Sequence, residues 1–205
     1  MDPERRLSWL GGVSAFLIAL TLLASLVSVP FALPAARSWL VVLFVFNAGL
    51  GGLPAEPLRL LNALDFAILA LAGLAFLGLW SALTKRQRIW LGIAVGMSFA
   101  GIAVLLITHL AGRSALMGSG FIVSVLMVLH RTFRRLGVLG VLANGVLFAG
   151  DLATGTSPSA VAAGLVGVGY LLVLAWFFGL SATLLRSSAT PAHLAPGDSP
   201  PHPTS

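Results

Sequence analysis

Residues 66–107 read FAILALAGLAFLGLWSALTKRQRIWLGIAVGMSFAGIAVLLI, and this stretch decides the fold. An uncharged run leads into Lys85, Arg86 and Arg88, and a second uncharged run begins at Ile89. A helix rises ~1.5 Å per residue, so about 20 residues cross a hydrocarbon core ~30 Å thick. Each run meets that length, the first by extending back through Asp65 to Leu61. Two apolar helices joined by a basic turn make a membrane hairpin.

The same pattern recurs outward from this hairpin. The candidate crossings are Trp9–Val29, Leu61–Thr84, Ile89–Leu110, Ser114–Leu129, Leu136–Leu152 and Ala160–Leu185. The expected fold is all-α, a polytopic bundle of six spanning helices in one domain over residues 1–186. Residues 187–205 hold five prolines among serine, threonine and alanine, a composition expected to stay disordered as a cytoplasmic tail.

Composition agrees with the runs. Of 205 residues, 58% are hydrophobic and 9% are charged, where a soluble domain carries roughly 25% charged residues. Mean hydropathy is +1.02. A water-soluble globule is excluded. With no cysteine, so are a disulfide framework, thiolate catalysis and iron–sulfur ligation. Twelve Lys and Arg against six Asp and Glu give +6, which in a soluble protein would point to nucleic acid. Here the basic residues cluster at the ends of apolar runs, where they set topology and meet anionic headgroups. The expected partner is the lipid bilayer, not nucleic acid.

Loop charges orient the set. With six crossings and a cytoplasmic N-terminus, the inner side holds Arg5, Arg6, Lys85, Arg86, Arg88, Arg131, Arg134, Arg135 and Arg186. Arg37, Arg59 and Arg113 fall outside. This nine-to-three bias predicts both termini in the cytoplasm of an inner (plasma) membrane protein. A crossing at Ser38–Pro54 would invert the later clusters. That stretch, with Asn47 and three glycines, is therefore expected on the outer face as an interfacial or re-entrant piece. Leu7–Val29 is longer than a signal-peptide core, and Asp2-Pro3-Glu4 has the form of a helix start, so a retained first helix is expected.

Glycines are the expected packing device. Gly92 and Gly96 form a GxxxG, and Gly140 and Gly145 lie in the fifth run. Small residues let helix backbones approach closely in lipid, so all four are expected at helix contacts, within the chain or in a homodimer. A faint repeat at a spacing of 48 relates Thr84-Lys85-Arg86 to Thr132-Phe133-Arg134.

Three polar residues in the apolar runs are candidate substrate-binding groups. Asp65 lies about one turn inside the outer end of the second run, and an intramembrane carboxylate is a functional hypothesis by default. It is expected to share a polar pocket with Asn144 or Arg113, the alternative being a partly hydrated interfacial residue paired with Arg113 or Arg59. Asn144 sits near the middle of the fifth run, where helix-joining hydrogen bonds are its alternative use. Asp151 stands at that run's outer end, before a polar loop in which Ser157 and Pro158 look like the cap and first position of the last helix. His109 and His130 fall on opposite sides of the membrane and cannot share a metal, so no metal or cofactor is expected. Gly118-Ser119-Gly120 faintly resembles the serine motif of rhomboid proteases, but it lacks the fuller motif and the later histidine. No catalytic residue is assigned.

The layout resembles a family of small bacterial membrane proteins known only as a domain of unknown function. The likeness rests on the two hairpins with basic turns and on Leu136-Gly137-Val138-Leu139-Gly140 entering a small-residue helix, over about Asp65 to Arg186. The outer loop Ala111–Arg113 is shorter than in that family. The resemblance implies a six-helix inner-membrane protein and supplies no site residue. Two functions fit the residues: a non-catalytic accessory, assembly or sensing component working with a membrane-protein partner or a second copy, or a small transporter.

Overall fold

The computed structural model describes residues 2–32, 55–108, 112–156 and 159–189. Every regular element among them is helical. Helix α1 spans Pro3–Ala32, α2 Ala55–Leu77, α3 Lys85–Thr108, α4 Gly112–Leu129, α5 Arg134–Thr156 and α6 Ala160–Ala189. Short 3-10 turns cover Trp80–Ala82 and Arg131–Phe133. Among the described residues, three stretches are long and apolar enough to cross a membrane: Pro3–Ala24, Arg131–Ala153 and Gly164–Ala189. Phe66–Ala82 and Ala115–Leu129 are shorter apolar helices. The chain therefore has the character of a membrane protein. Ser38–Pro54 lies outside the described residues.

Local chemistry sets the helix ends. Pro3 occupies the first turn of α1, where its missing N–H costs nothing, and the Arg6 N–H donates to Asp2 O at 3.0 Å. At the start of α3, Gln87 Oε1 accepts from both the backbone N–H and the hydroxyl of Thr84, each at 3.0 Å. This is one half of a capping box, and it starts α3 at Lys85, so the basic turn becomes the first helical turn.

Ser159 precedes α6, and its Oγ accepts from the Ala162 N–H at 3.2 Å; the expected cap and first position, Ser157 and Pro158, lie outside the described residues. Two expected boundaries are corrected. Helix α6 runs on to Ala189, past the expected tail boundary at 187. The hydroxyls of Ser187 and Ser188 donate back to Leu184 O and Leu185 O, so these polar residues are held within the helix. Helix α5 continues to Thr156, which puts Asp151 inside the helix and not at the mouth of a loop.

Each helix packs on the next in sequence, and α6 closes the ring on α1. Neighbours run antiparallel. Ser8 in α1 donates to Leu184 O in α6 at 3.1 Å, Ser98 in α3 donates to Ser119 in α4 at 3.0 Å, and Gly140 in α5 lies against Ser124 of α4 and Trp176 of α6. Helix α4 also reaches across to α2, which sets it inward of α3 and α5. The core centres on Phe76, Trp176 and Phe177, with Trp176 and Phe177 ring centroids 4.9 Å apart.

Glycine makes the closest approaches. A Cβ at Gly11 would strike the backbone of Gly78, so the α1–α2 crossing requires its absence. A Cβ at Gly137 would likewise strike the α4 backbone at Met127 and Val128. Gly140 fulfils its expected packing role between Ser124 and Trp176. The contact within the chain expected at Gly92, Gly96 and Gly145 is corrected: all three are exposed, and among the described residues a Cβ at any of them would meet nothing within 4 Å. They face away from the described helices.

Candidate functional site

The up-and-down ring collects nine basic residues at one end, with Asp2 and Glu4 beside them at the start of α1. The first turn of α1, the α2–α3 and α4–α5 connections and the last turns of α6 lie together there, so Arg5, Arg6, Lys85, Arg86, Arg88, Arg131, Arg134, Arg135 and Arg186 share that end. Ser8 and Ser187 hydroxyls meet at 2.8 Å and join the first and last helices there. The Arg88 guanidinium lies 5.6 Å from the Trp80 ring centroid, while its Nε donates to Leu83 O at 3.1 Å. Stacked on an aromatic ring and tied to a carbonyl, Arg88 is fixed to the turn. His130 packs on Phe133, and its Nδ1 is buried with no hydrogen-bond partner among the described residues.

At mid-depth the polar side chains form a chain of contacts across three helices. Ser119 accepts from Ser98 and donates to Leu116 O at 3.0 Å, so its hydroxyl proton is taken up inside the helix. Ser124 donates to Gly120 O at 2.6 Å. Asn144 is 4% exposed and donates to Gly140 O at 2.8 Å. Its Oδ1 sits where a side chain at residue 120 would be, so Gly120 makes the room for it. Trp176 Nε1 is buried beside Gly140 with no acceptor among the described residues.

Two cavities flank this network. The larger, about 470 Å³, opens on the outside of the bundle where α4 is set inward. Its floor is Met117, Gly118, Phe121 and Ile122 of α4. Met97 of α3 stands on one side, and Asn144, Gly145 and Phe148 of α5 on the other. Phe121 and Phe148 are 44% and 60% exposed and form the rim. The smaller cavity, about 30 Å³, lies inside the ring between α1, α2, α4, α5 and α6. Asp151 and Tyr170 give it polar groups among Leu22, Ile68, Leu147 and Val173. A water needs ~10–15 Å³ in a polar site, so this cavity has room for one. Met117 lines both cavities and is the partition between them.

The three candidate residues are thus divided. Asn144 faces the lateral cavity and Asp151 the interior one. Asp65 lies in the α2 backbone three residues before Ile68, and its side chain is outside the described residues, as are those of Asn62 and Arg113. His109 is also outside them. Among the described residues no group of three His, Cys, Asp or Glu comes together to hold a metal. Sequence reasoning missed Met117, Ser98 and Trp176. Their only signal was a soft or polar side chain within an apolar run, which says nothing about facing direction. Set beside family models, curated proteins and solved structures, the chain matches none.

Proposed function

We propose that the chain is an integral inner-membrane protein that crosses the bilayer six times with its basic end in the cytoplasm, and that it serves as a non-catalytic accessory, assembly or sensing component. The gathering of nine basic residues at one end of the ring, against Arg59 and Arg113 near the other, supports the orientation. Helices α2, α3 and α4 cross beside the three longer apolar segments because their apolar positions pack into the same ring. The layout shared with small bacterial membrane proteins of unknown function belongs to this reading and assigns no residue a role.

The observation that carries the accessory reading is the separation of Asn144 from Asp151, each on its own cavity. A substrate path needs its polar groups along one route. The partner is another membrane protein or a second copy of the chain. Solubilised from its own membrane in mild detergent, the tagged protein should retain that partner at fixed stoichiometry. Recovery as a lone chain that carries solute flux in proteoliposomes would overturn this reading. That result would favour the second one, a small transporter, whose support is the interior cavity bearing Asp151 and Tyr170.

A further inference from the structure

The lateral cavity has a definite shape and chemistry. Its floor runs from Met117 to Ile122 and its α5 wall from Asn144 to Phe148, which at ~1.5 Å per residue is a height of about 8 Å. A partner helix is ~10–12 Å across and would need a groove along the whole face. A lipid tail runs along the membrane normal for more than this height. The cavity suits neither. Its volume, about 470 Å³, falls within the ~300–1,000 Å³ of small-molecule sites.

The lining narrows the class. Two methionines give a soft wall that adapts to its guest. Two phenylalanines at the rim present ring faces and edges to a flat molecule. Asn144 is the one lining residue with a hydrogen-bonding side chain, and its bond to Gly140 O uses only one N–H of the amide. It makes no other hydrogen bond among the described residues. Asn144 is ten residues beyond Arg134, ~15 Å along the helix, so the amide stands near the middle of a ~30 Å core. A headgroup cannot reach that depth, but a ring dissolved in the bilayer can.

We infer that this cavity binds a compact, flat, lipid-soluble ring compound bearing a carbonyl oxygen, of the quinone class, with the free N–H of Asn144 donating to that oxygen. Phe121 and Phe148 hold the ring, the missing side chain at Gly145 leaves space for it, and Gly118 makes room for the Met97 side chain that forms part of the wall. The inference rests on the bilayer placement proposed above and not on the accessory role. Failure to bind a ring compound leaves partner recruitment standing, and absence of a partner leaves the site standing.

The test uses the full chain in phosphatidylcholine nanodiscs and two radiolabelled probes, a benzoquinone with a ten-carbon tail and decylbenzene. Saturable binding is expected, with the quinone at least tenfold tighter. Gly145→Leu projects into the open cavity and not into a neighbour, so it should keep the melting temperature while weakening the quinone at least tenfold. Asn144→Leu should reduce the quinone to the affinity of decylbenzene. Binding no greater than to empty nanodiscs, equal affinity for the two probes, or quinone binding unaffected by Gly145→Leu would each overturn the proposal.

Discussion

The two sides of the ring use the same residue in opposite ways. Along α1–α2 and α4–α5, Gly11 and Gly137 lie where any Cβ would strike a neighbouring backbone. On the outside of α3 and α5, Gly92, Gly96 and Gly145 meet nothing among the described residues. In a soluble protein the second group would cost helix stability with no packing return. In the proposed bilayer placement that face looks toward lipid or toward a guest. Glycine content thus says that close approach is allowed, and only tertiary geometry says where it happens.

The largest effect should come from the close side. Gly137→Leu puts a branched side chain into the α4 backbone, and overpacking of this kind costs about 1–3 kcal/mol, occasionally more. Thermal unfolding in detergent should show a clear loss of stability. An unchanged melting temperature would erase the contrast between the two sides.

A smaller effect is expected from Ser119→Ala. It removes the acceptor of the Ser98 hydroxyl across α3 and α4, and interhelical hydrogen bonds in membranes average about 0.6 kcal/mol. A loss far above 2 kcal/mol in the same assay would mean that this pair, and not backbone approach, holds the α3–α4 seam.

The smallest effect belongs to the open side. Gly92→Leu and Gly96→Leu should leave the isolated chain as stable as before or slightly more so, since leucine outranks glycine in helix propensity by up to about 0.8 kcal/mol. Marked destabilisation by either would return these glycines to the interior.

This contrast also explains what the sequence could and could not disclose. Run lengths and basic clusters were enough for helices in an up-and-down order. The start of α3 was placed at Ile89 and lies at Lys85; the capping-box spacing of Thr84-Lys85-Arg86-Gln87 was the signal that could have found it. The facing of Gly92 and Gly96 was not legible, because core and lipid both favour apolar residues and the periodicity that separates faces in water is weak in a membrane. Asp151 was misplaced for a related reason. A charge that interrupts an apolar run reads as its end, whereas here the helix carries the carboxylate onto an interior cavity. Asn144 was legible as an unusual residue at mid-depth. Its cavity was not, since its walls come from α3, α4 and α5 and only their tertiary packing brings them together.

The central claim is a six-crossing bundle with its basic end in the cytoplasm. The chain contains no cysteine, so single cysteines can be placed and labelled without background. Thr132 is exposed in the basic α4–α5 connection, and Ser159 is exposed before α6 at the opposite end. In intact cells treated with a membrane-impermeant maleimide, a cysteine replacing Ser159 should label at once. One replacing Thr132 should label only after permeabilisation. Labelling of the Thr132 position from outside, with the Ser159 position protected, would contradict the orientation, and labelling of both from the same side would contradict the crossing of α5.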